Sequence, residues 1–350
     1  MIYRLPKLVV CLVFSLVANE TAFSQNELTV DKEHMAGVVG AHLASLEGWR
    51  TGDFLVRVSA SGSGRFFRWE DNQDNMQVDA KLRFVEGADA STVDFQSDLL
   101  YRVVFDFESE RCLVVGYVRE VATVFDSLDV AMEPIVQKRN VILLLDDVEM
   151  GALLIRPNGK MYNSKQVTSV SRSLFAASVP DIRFLGWNLP LTWNCDRLRT
   201  RLGDIRTEAM KEVTHVGRDV YQLRTKSTIE GVSKQTQWDV SRNLPVSYWI
   251  GTDRDKTTGS EGSAKWNEID GLPVPVSSRF MNAHSRTFGS RDYSMKNEVA
   301  VDIHWFSLNQ ELSDEFFHKD LLHDQKKLDE LLNQNVFDKQ PNDTPGGDNK

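Results

Sequence analysis

A two-residue period of hydrophobicity recurs along most of this chain and constrains its fold more than any other feature. Phe54, Val56, Val58 and Ala60 alternate with Leu55, Arg57 and Ser59. Leu99, Tyr101, Val103, Phe105 and Phe107 alternate with Arg102, Asp106 and Glu108, and Val299, Val301, Ile303 and Trp305 stand against Glu298, Asp302 and His304. Successive side chains of a strand point to opposite faces, so this pattern predicts antiparallel strands with one buried and one wet face.

Turn chemistry links these strands. The Ser61 to Gly64 stretch reads as a hairpin turn, with Phe67 and Trp69 continuing beyond it, and Ser109-Glu110-Arg111 leads into a partner strand at Cys112 to Val118. Val141 to Leu145 and Ala152 to Ile155 are short apolar runs of buried-strand type. A meander follows. Tyr221, Leu223 and Thr225 form one strand, and Thr236, Trp238 and Val240 the next. Ser241-Arg242-Asn243 turns the chain into Val246 to Ile250, a polar loop spans Gly251 to Gly262, and Asp270-Gly271 joins Ala264–Ile269 to Val274–Phe280.

Helical periodicity is confined to a few places. Asp31 to Leu46 repeats Met35, Val38, Val39, His42, Leu43 and Leu46 near a period of 3.6, interrupted by Gly37 and Gly40. Val167 to Ala177 has a helical pattern, and Phe184 to Trp193 reads as a packed aromatic loop. Ser313-Asp314-Glu315 opens a short helix, and Leu321, Leu328, Leu331 and Leu332 predict an amphipathic helix from Leu321 to Val336. The fold class expected is therefore mainly β: a curved antiparallel sheet or unclosed half-barrel with an N-terminal helix and C-terminal helices.

At the N-terminus, Arg4 and Lys7 precede the apolar run Leu8 to Ala18, and Ala22 and Ser24 supply small residues. That is the order of a secretory signal, and no later segment is apolar enough for a spanning helix. The expected division is a signal peptide over 1–24, one elaborated β domain over 25–318, an amphipathic helix over 319–337 and a disordered tail over 338–350. Export to a periplasm or beyond follows from the signal. The charge of −9, from 50 acidic and 41 basic residues, leaves no basic stripe for phosphates, which excludes nucleic acid as a partner. In an oxidising compartment Cys112 and Cys195 either pair or remain buried thiols.

The chain contains no nucleophile elbow, no zinc-protease helix, no Cys-x-x-Cys and no phosphate loop. Asp302 and His304 could pair for acid–base work, or be two solvated residues of a wet face. Asp146, Asp147 and Glu149, like Asp253 and Asp255, are charged loops sooner than cation sites. No catalytic residue, metal ligand or cofactor is expected. Phe54, Phe105, Trp238 and Trp305 hold inward strand positions, either as core or as the lining of an apolar cavity in an incompletely filled sheet.

Over residues 205–318 the series Trp238-Asp239-Val240, Asn243-Leu244-Pro245-Val246, Trp266 to Val276 with Gly271-Leu272-Pro273-Val274, and Val301 to Leu308 with Leu312 to Phe317 resembles the periplasmic lipoprotein-carrier (LolA/LolB-like) superfamily. The helix and long strand at Asp31 to Ala60 match its opening, and Val121 to Thr200 is an insertion relative to it. The resemblance implies an unclosed barrel with helices as a lid. It implies non-catalytic binding of a lipid or lipoprotein acyl chain in an apolar concavity, with Phe54, Phe105, Trp238 and Trp305 as candidate ligand-binding residues. The alternative is a structural or protein-interaction module of the cell envelope.

Overall fold

The computed structural model describes residues 31–66, 91–125, 131, 133–145, 152–155, 161–164, 179–187, 210–226, 232–252, 255–288, 291–332 and 337. The signal segment, Phe67, Trp69, the pattern at Val167 to Ala177, Asp146, Asp147, Glu149, Cys195, Asp253 and the tail lie outside the described residues. The elements in chain order begin with α1 (31–47). Six strands follow: β1 (Thr51–Phe66), β2 (Ser91–Asp106), β3 (Arg111–Phe125), β4 (Ile135–Leu145), β5 (Ala152–Ile155) and β6 (Met161–Ser164). The second half holds β7 (Met210–Gly217), β8 (Val220–Lys226), β9 (Val232–Asp239), β10 (Leu244–Thr252), β11 (Asp255–Ile269), β12 (Leu272–Phe288) and β13 (Arg291–Leu308). A short helix, α2 (Gln325–Leu331), follows the sheet strands.

Eleven of these strands form one antiparallel sheet in the order β4-β3-β2-β1-β13-β12-β11-β10-β9-β8-β7, and β5 pairs with β6 in a separate ribbon. The sheet ends in two edges, β4 and β7, and is not closed. Almost every neighbour in the sheet is also a neighbour in sequence, as in a meander. The exception is β1 against β13, which joins the two ends of the described chain inside the sheet, from Gly52 beside Leu308 to Arg65 beside Ser294.

The period-two pattern sets the two faces. Phe54, Val56, Tyr101, Val103, Phe105, Cys112, Val114, Leu223, Trp238, Val301 and Ile303 enter one core together with α1. All six periodic residues of α1 are buried. The helix crosses the sheet: His34 meets Tyr221 of β8, His42 meets Trp238 of β9 and Trp266 of β11, and Trp49, just beyond the helix, meets Trp305 of β13. The segment 179–187 covers the same face, with Trp187 against Trp238 and the buried carboxylate of Asp181 accepting two hydrogen bonds from the Arg183 guanidinium at 2.8 and 2.7 Å. A smaller core lies on the other face of β2 to β4, where Val104, Leu113, Val115, Ile142 and Leu144 receive Phe317, Leu321 and Leu328. This part of the sheet is buried on both sides, not wet on one.

The structure corrects three expectations. Ser61 to Gly64 is no turn: β1 runs straight through it, paired on both sides with Val93 to Gln96 and Met295 to Glu298. The small residues serve close packing, since a Cβ on Gly62 would stand 2.5 Å from the Lys296 carbonyl oxygen and 2.7 Å from the Phe95 ring. Gly251 to Gly262 is mostly strand, with Ser260 to Ser263 paired to Ser247 to Ile250. The leucine pattern from Leu321 does not give one helix: Lys319–His323 is a 3-10 turn, and Asp324 caps α2 by accepting the Lys327 N–H. The turns at Ser109 to Arg111, Ser241 to Asn243 and Asp270-Gly271 form where expected, with positive φ at Glu110, Asn243, Asp270 and Gly271.

Candidate functional site

The sheet has two candidate places for a ligand, one packed under α1 and one open. The first is the apolar face under α1, where the aromatic candidates lie. Phe54, Phe105 and Trp238 are fully buried, and Trp305 is partly buried against the same core. The ring of Phe54 lies 4.9 Å from Trp305 and 6.4 Å from Phe105, and the Trp238 indole donates to Thr236 at 2.9 Å. The structure thus brings Phe54, Phe105 and Trp305 together and sets Trp238 apart under His42. α1 and segment 179–187 fill the space above them.

The seat of α1 is not fully matched. His42 is 1 % exposed, and neither ring nitrogen has a hydrogen-bond partner among the described residues. Two indoles approach it edge-on, with centroids at 5.7 and 5.2 Å. Burial lowers its pKa to about 3, so the ring is neutral. The Trp49 indole N–H is likewise unpartnered. Leaving a buried polar group unpaired costs about 1–3 kcal/mol. Gly37 and Gly40 lie on the exposed side of α1, where nothing lies within 4 Å of a Cβ built on either. Neither glycine is demanded by packing, and each costs a helix roughly 0.5–1 kcal/mol against alanine.

The second place is a furrow of about 850 Å³ on the opposite face. Its floor can be derived from strand register. One row of direct cross-strand neighbours runs Asp98, Ser59, Ala300, Arg279, Ser263, Ser247, Gln237, Gln222. A second row, two residues along, runs Gln96, Ser61, Glu298, Met281, Glu261, Trp249, Gln235. All of these residues line the furrow, and the other lining residues, such as Ala60, Phe280 and Val299, lie in the row between. Side chains alternate, and the middle row belongs to the α1 core, so both lining rows face away from α1. The furrow crosses eight strands, from β2 to β8, and the sheet is hollowed along it.

Three of the four charged residues that line the furrow are paired. Arg279 meets Asp302 at 3.2 Å, Asp98 meets Arg119 at 3.7 Å and Glu298 meets Lys296 at 3.7 Å. Within it, the Ser247 hydroxyl donates to Gln237 at 3.0 Å. Asp302 also faces Arg57 at 3.6 Å, so its carboxylate is committed to two guanidinium groups, while His304 packs against Phe306. Cys112 is buried in the first core.

Sequence reasoning missed the furrow residues. Gln222, Gln235, Gln237, Ser247 and Ser263 sit at outward positions that look like ordinary wet face. The only signal was an excess of neutral amides and hydroxyls over charges at these positions.

No family model matches this chain, and no curated protein matches it. Among solved structures, a DUF1329 family protein from Desulfovibrio piger is similar at 9% sequence identity with a TM-score of 0.30, over 83% of this chain and 98% of that one.

Proposed function

We propose that this is an exported, non-catalytic binding protein that holds a lipid or lipoprotein acyl chain against the apolar face of its unclosed sheet, with α1 as the exchangeable cover. The observation that carries this reading is the cover itself: unpartnered His42 lies against an otherwise apolar, aromatic face, and Gly37 and Gly40 weaken α1 from its exposed side. An optimised permanent cover would place leucine at position 42 and alanine at the two exposed glycines. The departure weakens the cover by roughly 2–5 kcal/mol, summing an unpaired buried polar group and two helix glycines. At about 1.4 kcal/mol per tenfold, that is a large change in how often the face opens. Sequence resemblance to the lipoprotein carriers over Trp238 to Phe317 supports the same reading. The export half rests on Arg4, Lys7 and the apolar run that follows.

The test is the double variant Gly37→Ala/Gly40→Ala. It is expected to melt higher than the parent, with each alanine adding about 0.5–1 kcal/mol. If α1 must move for a chain to enter, a fluorescent long-chain fatty acid then binds the variant several-fold more weakly. A variant that is more stable but binds the probe as the parent does removes α1 from the mechanism. A parent that takes up no probe, and carries no extractable lipid when purified from its host, leaves the structural module of the envelope.

A further inference from the structure

The furrow opposite α1 has the wrong chemistry for an acyl chain. Its floor presents amides and hydroxyls at most positions, and burying such groups under hydrocarbon without partners costs free energy at each one. Its chemistry is also wrong for an anion, since Asp98, Glu261 and Glu298 face it and Arg279 already serves Asp302. Gln and Ser side chains both donate and accept, which suits a ligand whose groups do the same. Trp249 and Met281 flank Glu261 in one register row, giving an apolar platform beside hydrogen-bonding groups. With strands about 4.8 Å apart, eight strands span roughly 30 Å along the sheet. That length fits an extended chain better than a single ring.

We propose that this furrow is a second binding site, for a neutral polyhydroxylated chain of the oligosaccharide class, laid across the strands with a sugar ring stacked on Trp249 and hydroxyls bonded by Gln235, Gln237 and Ser247. The sheet then binds on both faces, an apolar ligand under α1 and a polar one in the furrow, with only the backbone and the middle row of side chains between them.

The experiment titrates the full chain with cellotetraose, maltotetraose and chitotetraose, and with a tetragalacturonate as the anionic comparison, following heat and amide and indole chemical shifts. At least one neutral tetrasaccharide is expected to bind saturably and to shift the Trp249 indole and the amides of Gln235, Gln237 and Ser247. Trp249→Ala is expected to weaken that binding at least tenfold, and Gln237→Ala several-fold, with melting temperatures near that of the parent. If either variant fails to fold, the shift map of the parent reads the site directly. No saturable binding of any neutral probe overturns the proposal. Binding that shifts residues elsewhere, or a preference for the tetragalacturonate, overturns it equally. Saturating fatty acid serves as the separating arm: sugar binding that persists in its presence supports a site independent of the α1 face, and competition between the two overturns it.

Discussion

At the scale of single residues, His42 shows how one polar group can set the pH response of a whole core. Its ring is neutral in the fold because burial lowers its pKa to about 3, whereas in the unfolded chain it titrates near 6.5. Above that value neither state holds the proton. Below it the unfolded chain takes up a proton that the folded one refuses, so stability falls by up to about 1.4 kcal/mol per pH unit until the folded value is reached. His42→Leu is therefore expected to be more stable than the parent at neutral pH by about 1–3 kcal/mol, and its advantage should widen as pH drops from 7 to 4.5. Urea unfolding at three pH values checks this; an advantage that stays constant would show that the imidazole does not titrate differently in the two states. The buried pair Asp53–Arg102 differs because its charges are matched. Arg102 donates two hydrogen bonds to the carboxylate at 2.5 and 2.7 Å beneath the Phe306 ring, although burial still raises the Asp53 pKa.

At the scale of elements, β1 separates two meanings of glycine. Ser61 to Gly64 has turn composition, yet the backbone there pairs on both edges, and Gly62 is small because the Lys296 carbonyl and Phe95 ring approach it. Gly62→Ala should then destabilise by about 1–3 kcal/mol through overpacking, where a turn glycine of ordinary φ would tolerate it. Chemical denaturation decides between the two, and an unchanged midpoint would contradict the packing argument. The strand β11 carries the opposite lesson. The Ser, Thr and Gly content of its first part, Asp255 to Ser263, reads as a loop because no apolar residue marks its faces, and Glu261 and Ser263 there floor the furrow. Similarly, Asp324 divides the leucine pattern of the C-terminal segment by capping α2, a choice that favours a hydrogen-bonded helix start over a continued 3-10 path.

At the scale of the molecule, the C-terminal segment closes the second face of β2 to β4, placing Phe317, Leu321 and Leu328 on Val104, Leu113, Val115, Ile142 and Leu144. Truncation before Asp314 is expected to expose that cluster and to lower stability by more than the about 3–5 kcal/mol of a single buried aromatic, with increased binding of a hydrophobic dye. A shortened chain that melts as the parent does would show the second core to be dispensable. Much of this architecture was legible beforehand. The alternation around Phe54, Phe105, Trp238 and Trp305 identified inward positions, the turn residues at Glu110, Asn243 and Asp270 placed three hairpins, and five apolar residues with His42 named the buried face of α1, because these are local properties of period and backbone preference. The sequence could not say what each face meets. Whether an inward aromatic touches a helix, a ligand or nothing depends on segments far along the chain, and β1 meets β13 only in the folded sheet. The furrow is the clearest case: its residues come from eight strands and look individually like ordinary wet face. Only the bending of the paired sheet sets Asp98 and Gln222 at the two ends of one hollow, because curvature belongs to the assembled sheet and to no single strand within it.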